Sequence, residues 1–361
     1  MADEQSRSRR FSMALNQRVQ GALRGPRQAV RRVFGSSDAL SDLYFSVVKK
    51  AFSREHRAVL HGIHKHEQFE QDGGASRFPL RRNIHRIEKG LLMRPRRDIF
   101  ALNYIEETLD AYERVVTTFS RSGGDSEEIR WAHDVLTEYF TVTASDPLID
   151  RMQERIEKLP GIDVPEGKSA SRPYLRDLEA PRPVEYEDFY RLTKRRRSVR
   201  WFLPDLVPRE LIDQALVAAI EAPSACNRQP FRFHIFDDPA LVQEIANMPM
   251  GTKGFAHNFP AIVVLVGQLR AYFHPRDRHI IYIDASLAAM GFMLALETLG
   301  LSSCAINWPD IPDKEQKMAD ALDLDPDQRP IMLIAVGFPD PEGAVACSQK
   351  QSLDNLRTYN R

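Results

Sequence analysis

Two uninterrupted apolar runs, residues 261–267 (AIVVLVG) and 331–337 (IMLIAVG), restrict the fold more than any other feature of this chain. A strand with one wet face alternates polar and apolar residues, whereas a run of strand length with no polar position has to be covered on both faces. The two runs therefore predict central strands of a sheet with helices on each side. Between them, residues 281–299 are rich in small apolar side chains and read as one long helix buried nearly all round. Phe231, Phe233 and Ile235 alternate with polar neighbours, the pattern of a half-buried strand, and residues 302–306 read as another short one. Pro208 stands where a first helical turn would begin. Ile212, Leu216, Ala219 and Ile220 supply the apolar face of that helix up to Pro223. The expected class is α+β, a three-layer α/β/α sandwich over residues 186–361.

The preceding half has another texture. Residues 41–160 read as mainly helical. Leu102, Ile105, Leu109, Tyr112, Val116 and Phe119 recur at three- and four-residue steps, and Trp131, Val135 and Tyr139 continue after a Gly-Gly break. Prolines, glycines and charges over residues 161–185 predict a linker. Residues 1–40 read as a basic flexible tail, in which Leu15, Val19, Leu23, Val30 and Val33 fall on one stripe beside arginines. Such a helix suits peripheral contact with an anionic membrane surface, and a solvated tail is the alternative.

Bulk charge argues against a nucleic-acid binder, because 50 Lys and Arg balance 50 Asp and Glu. No apolar run approaches the ~18–20 residues of a membrane-spanning helix. Cys226, Cys304 and Cys347 are scattered and odd in number, as in a reduced, cytoplasmic protein without a disulfide framework. His56, His61, His64 and His66 lack the accompanying cysteine or carboxylate pattern of a metal site, so none is expected. No glycine fingerprint of a separate dinucleotide or triphosphate domain is present.

Chemistry concentrates in two segments. Arg196, Arg197, Ser198 and Arg200 place guanidinium forks and a hydroxyl within five positions, a donor set that suits a phosphate ester. A solvated basic face, a localisation signal or a kinase target would use the same residues. About one helix later comes Pro223-Ser224-Ala225-Cys226-Asn227-Arg228-Gln229-Pro230. Its amide side chains carry both donors and acceptors for the edge of a flat heterocycle, although an ordinary helix-to-strand loop uses similar residues. A third basic stretch, residues 81–91, reads as either a solvated amphipathic helix or a surface that steers anions.

The order of these landmarks resembles the nitroreductase-like flavoprotein family. That family carries Arg-Arg-Ser-x-Arg, matched at 196–200, then Ser-x-x-Asn-x-Gln-Pro, matched at 224–230. Leu299-Gly300-Leu301 and Gly337-Phe338-Pro339 match two further landmarks. The resemblance covers residues 186–355 and leaves the N-terminal half unmatched. It implies a nitroreductase-like sandwich that holds FMN at the interface of a homodimer. Arg196, Ser198 and Arg200 would take the phosphate and ribityl chain, and Arg197 the polar edge of the ring. Pro223, Ser224 and Asn227 would reach the flavin of the neighbouring subunit, with Gln229 supporting their turn. Lys350 matches a basic position near the phosphate. Trp308 falls where the family sets a backbone N–H against the ring, and its bulk is expected to narrow the pocket.

The implied activity is an FMN-dependent oxidoreductase in which NAD(P)H reduces the flavin and a small organic substrate takes two electrons in a ping-pong scheme. No acid–base side chain is required for that, and no catalytic residue is assigned. The competing readings are a flavin-dependent oxidase or dehydrogenase of a biosynthetic pathway, and a non-catalytic scaffold with a degenerate flavin site.

Overall fold

The computed structural model describes residues 24–71, 77–122, 126–159 and 170–360. Two compact units divide the chain, residues 1–58 and 59–361, and the division falls within a helix, Ser53–Gln71. The first unit contains α1 (Arg24–Phe34), α2 (Asp38–Leu43) and a π-helical turn, Tyr44–Lys49. Ser37 caps α2 by accepting from the Leu40 N–H. Of the basic stripe, Leu15, Val19 and Leu23 lie outside the described residues, while Val30 and Val33 are exposed on α1.

In the second unit, α3 (Ser53–Gln71) leads into α4 (Arg77–Leu91), α5 (Ile105–Ser122), α6 (Ser126–Val142) and α7 (Pro147–Glu157). The last starts cleanly because Asp146 accepts from Leu148 N–H at 2.9 Å and Pro147 needs no donor. Helices α4–α7 share one core built on Leu80, Ile84, Ile105, Leu109, Val135 and Tyr139. The helical periodicity of the sequence is therefore real, but Leu102 precedes α5 and is exposed. The Phe119 side chain lies outside the described residues. The basic stretch 81–91 is also not the solvated helix that was one reading of it. Leu80, Ile84 and Ile87 are fully buried, and so nearly are Arg82 and Asn83.

The sheet domain begins at α8 (Tyr186–Arg195) and continues with α9 (Arg209–Ala219), β1 (Phe231–Phe236), α10 (Pro239–Ala246) and β2 (Ala261–Gln268). It closes with α11 (Ile280–Thr298), β3 (Ser302–Asn307), α12 (Pro312–Leu322), β4 (Gln328–Gly337) and a short α13 (Leu353–Leu356). The strands lie in the order β1-β2-β4-β3, every pair antiparallel. The two apolar runs are the two central strands, and all of β2 is buried. Their residues alternate between two cores. Ala261, Val263, Leu265, Ile334 and Val336 face α9 and α11, whereas Ile262, Val264, Val266, Leu333 and Ala335 face α10 and α12. This is the expected three-layer α+β sandwich.

The Leu-Gly-Leu landmark has a backbone cause. Gly300 takes φ +78° just past α11, and Leu301 N–H returns to Leu296 O at 3.0 Å, a left-handed cap that only glycine adopts without strain. Two readings of α11 need correction. By length and composition Pro275–Thr298 is apolar enough to cross a membrane, with mean hydropathy 1.6, although its packing on the sheet and its buried Asp284 and Glu297 are those of a core helix. Nor is it buried all round: Ile283, Leu287 and Met290 form an exposed stripe, 53, 45 and 39% accessible.

Candidate functional site

The first chemical segment is placed by an edge-strand contact. After α8 ends, Ser198 bridges Ser303 of β3 in parallel, and Val199 N–H donates to Ser303 O at 3.0 Å. Phe202 then pairs with Pro339, and Leu203 N–H donates to Phe338 O, which explains why a Gly-Phe-Pro turn follows β4. Asn258 locks the strip from the side, accepting from Phe202 N–H at 2.8 Å and donating to Arg200 O at 2.9 Å. Arg196, Ser198 and Arg200 are thereby gathered around Cys304. Burial raises the Cys304 thiol above its ordinary value, while both guanidiniums and a hydrogen bond with Ser198 act in the opposite direction. The thiol stays protonated, which suits packing and not nucleophilic catalysis.

Arg196 is half-buried and Arg200 exposed, with the Arg200 guanidinium 5.8 Å from the Phe255 ring centroid. Neither forms an ion pair among the described residues. Arg197 folds back, donating from Nη1 to Arg196 O at 2.9 Å. Behind them, buried Glu297 accepts from Ser302 Oγ at 3.0 Å and lies 3.4 Å from Arg195 Nε. Burial pushes its carboxyl up, against the pull of Ser302, Arg195 and Arg196.

The second segment is a tight turn in which Cys226, Asn227 and Gln229 all adopt positive φ, at 53°, 51° and 50°. Left-handed backbone at non-glycine residues is costly and persists only where its surroundings hold it. Four contacts hold it here. Ser224 Oγ accepts from Gln229 N–H, Gln229 Nε2 donates to Ile220 O, and Ala225 N–H donates to Asp284 Oδ2 at 2.9 Å. The fourth comes from the helical half. Arg81 donates to Asn227 O at 2.7 Å and Gln229 Oε1 at 3.1 Å, while also pairing with buried Glu128 at 2.9 Å. Gln229 is bonded at both its backbone and its side chain within this turn, and Pro223 is exposed beside it.

The side chains of two assigned residues make other contacts. The Trp308 indole does not narrow a pocket: it is 7% exposed, packs in the core facing α10 and α12, and donates to Glu315 Oε1 at 2.6 Å. An indole N–H beside a buried carboxylate is better satisfied inside than in a cleft. Lys350 is exposed in an irregular segment, its carbonyl accepting from the Gln349 amide, outside the contacts that gather Arg196, Ser198 and Arg200. The histidine cluster is likewise dispersed, since His61 pairs with Asp327 and His66 with Arg270 O. No group of three or more metal-ligating side chains occurs among the described residues. Arg81, Glu297 and Asp284 were not singled out from sequence. Arg81 reaches Asn227 across 146 positions, a distance no local pattern signals.

The family model for nitroreductases matches residues 193–252 and 242–338. Residues 193–338 form a nitroreductase-family domain. Among its relatives are iodotyrosine deiodinase 1 of Sus scrofa, 24% identical over 47% of this chain and 68% of that protein, and a Thermus thermophilus NADH dehydrogenase, 28% identical over 46% and 93%. A solved FMN-dependent nitroreductase from Clostridium difficile is 23% identical and covers 47% of this chain and 98% of its own, with a TM-score of 0.41. The nitroreductase-family domain is one of an oxidoreductase family, and the helical half lies outside the residues the family model matches.

Proposed function

We propose that the nitroreductase-family domain is an FMN-dependent oxidoreductase that takes electrons from NAD(P)H and passes them to a small organic acceptor, working as a homodimer. The observation that carries this reading is the cluster of Arg196, Ser198 and Arg200 held on the edge of β3 with no carboxylate paired to either guanidinium among the described residues. The residues fit the group. Two unpaired forks and a hydroxyl match a phosphate monoester, and the fully buried Ser303 Oγ beside them has no hydrogen-bond partner.

Distance supports the dimer. The arginine cluster is tied to Glu297, and the strained turn to Asp284, thirteen residues apart on α11. At 1.5 Å per residue the two segments are about 20 Å apart along the helix. Pro223, Ser224 and Asn227 therefore serve the flavin of a second copy, and the exposed stripe Ile283, Leu287 and Met290 lies between the two ends of the helix, where that copy would cover it.

Bound FMN would supply the redox chemistry, accepting hydride from reduced nicotinamide and then delivering two electrons to the acceptor in a ping-pong cycle. This chain's residues would do the rest: Arg196, Ser198 and Arg200 hold the charged tail, Arg197 faces the polar edge, and Pro223, Ser224 and Asn227 reach the flavin of the second copy. Visible absorbance of the purified protein, with the released cofactor identified by mass, tests the reading. A colourless protein that gains no absorbance with added FMN overturns it. Anaerobic consumption of NAD(P)H tests the donor.

A further inference from the structure

The helical half and the sheet domain build a second arginine-rich place at the opposite end of α11. A cavity of about 470 Å³ is lined there by Arg82 and Arg86 of α4, Arg228 of the strained turn, and Phe273, Arg276 and Asp277 ahead of α11. We propose that this cavity binds the phosphate group of a small soluble molecule.

Arg228 carries the argument. It is 7% exposed, its Nε has no hydrogen-bond partner, and its guanidinium makes one long bond, 3.4 Å to Ala225 O, while lying 4.8 Å from the Tyr272 ring centroid. Burial without a bonded carboxylate pushes it below the usual guanidinium value. A charge kept inside under such conditions calls for a counter-charge.

Each neighbouring acid has a partner other than Arg228. Glu107 pairs with Arg82 at 2.5 Å, Asp277 lies 3.8 Å from Arg276, and Asp284 accepts from Ala225 N–H and Tyr272 O–H. Arg86 stacks 3.6 Å from the Tyr104 ring centroid and donates weakly to Asn83. Four arginines line the cavity against one lining carboxylate, Asp277, so a positive surplus remains there. A phosphate, with nearly two negative charges and three acceptor oxygens, engages more than one guanidinium fork at once. The first turn of α11 opens on the cavity at Ile280 without a side-chain cap, adding N–H donors to the same anion. The body of the molecule would lie against Phe273, 43% exposed.

The site lies at the other end of α11 from Arg196 and Arg200 of the same chain and shares with the proposed flavin contacts only the turn at 223–229. Calorimetric titration of inorganic pyrophosphate into the full chain, preloaded with FMN, tests it. Saturable binding of one pyrophosphate per chain is expected, weakened about tenfold or more by Arg276→Gln and by Arg228→Gln. Arg276 is an exposed side chain, so its variant keeps the test valid if Arg228→Gln fails to fold. The proposal falls if the parent protein shows no saturable binding, if Arg276→Gln and any folded Arg228→Gln bind as tightly as the parent, or if Arg196→Ala abolishes the binding instead. Flavin absorbance recorded on the same samples keeps the FMN reading separate from this one.

Discussion

The two ends of α11 each gather arginines, and they do so in opposite ways. At the C-terminal end, Arg196 and Arg200 come from one strip of five residues, pinned to β3 by backbone bonds and left half-buried or exposed. At the N-terminal end, Arg82, Arg228 and Arg276 come from three distant segments, and the central one is sealed from water. The first end needs only the sheet domain. The second exists only because α4 packs against the turn at 224–229. An anion site made by consecutive residues can stay open and wait for a second subunit, whereas one made by convergence is enclosed within a single chain.

The largest effect expected from breaking this contrast is on assembly. Placing aspartate at both Ile283 and Leu287 should cost association about 4 kcal/mol, near 2 per apolar side chain left in water. The result should be monomers by light scattering that have lost flavin. A dimer of unchanged affinity would remove the account by which the turn at 223–229 serves the flavin of a second copy.

Next comes the bond between the halves. Arg81→Ala takes away both contacts to the turn and one partner of Glu128, whose side chain is 2% exposed. Losing a buried ion-pair partner predicts about 3 kcal/mol of stability, read from the denaturant midpoint. A loss below about 0.5 kcal/mol would mean that the helical half merely rests against the turn.

Arg196→Ala and Arg200→Ala should each weaken FMN retention by about 2 kcal/mol, roughly thirtyfold, as one charge-assisted bond to phosphate is lost. Full occupancy in both variants would dismiss the phosphate assignment and leave the convergent end as the only anion site in the comparison.

The smallest effect is a pH dependence. Burial raises the Glu297 carboxyl above its ordinary 4.5. A raised folded-state value means that stability is fully present below 4.5 and declines as pH climbs through the folded value. Glu297→Gln should remove that decline, so parent and variant curves of unfolding free energy against pH diverge above 4.5. Parallel curves would show that the carboxyl pays no burial penalty.

Much of the fold was legible because periodicity is local. Phe231, Phe233 and Ile235 announced a half-buried strand and the two apolar runs announced the centre, whereas the positive φ of Gly300 shows only in the structure. Ser198 and the arginines were legible because they are adjacent in the chain. Trp308 was misread, since nothing near it in sequence reveals Glu315 waiting in the core. The basic stretch 81–91 was equally opaque, because charge pattern alone does not tell a solvated guanidinium from one buried against Asn227 and Glu128.

The amino-acid order alone determined which segments become strands and helices, which faces of β2 and β4 are covered, and which five residues offer themselves to a phosphate. Each of these depends on neighbours within a few positions. Tertiary packing alone decided that α11 keeps one apolar stripe uncovered, that Arg81 holds a strained turn 146 residues away, and that Arg228 is enclosed without a carboxylate. Burial and charge pairing are properties of what converges in space, and a linear pattern carries no record of them.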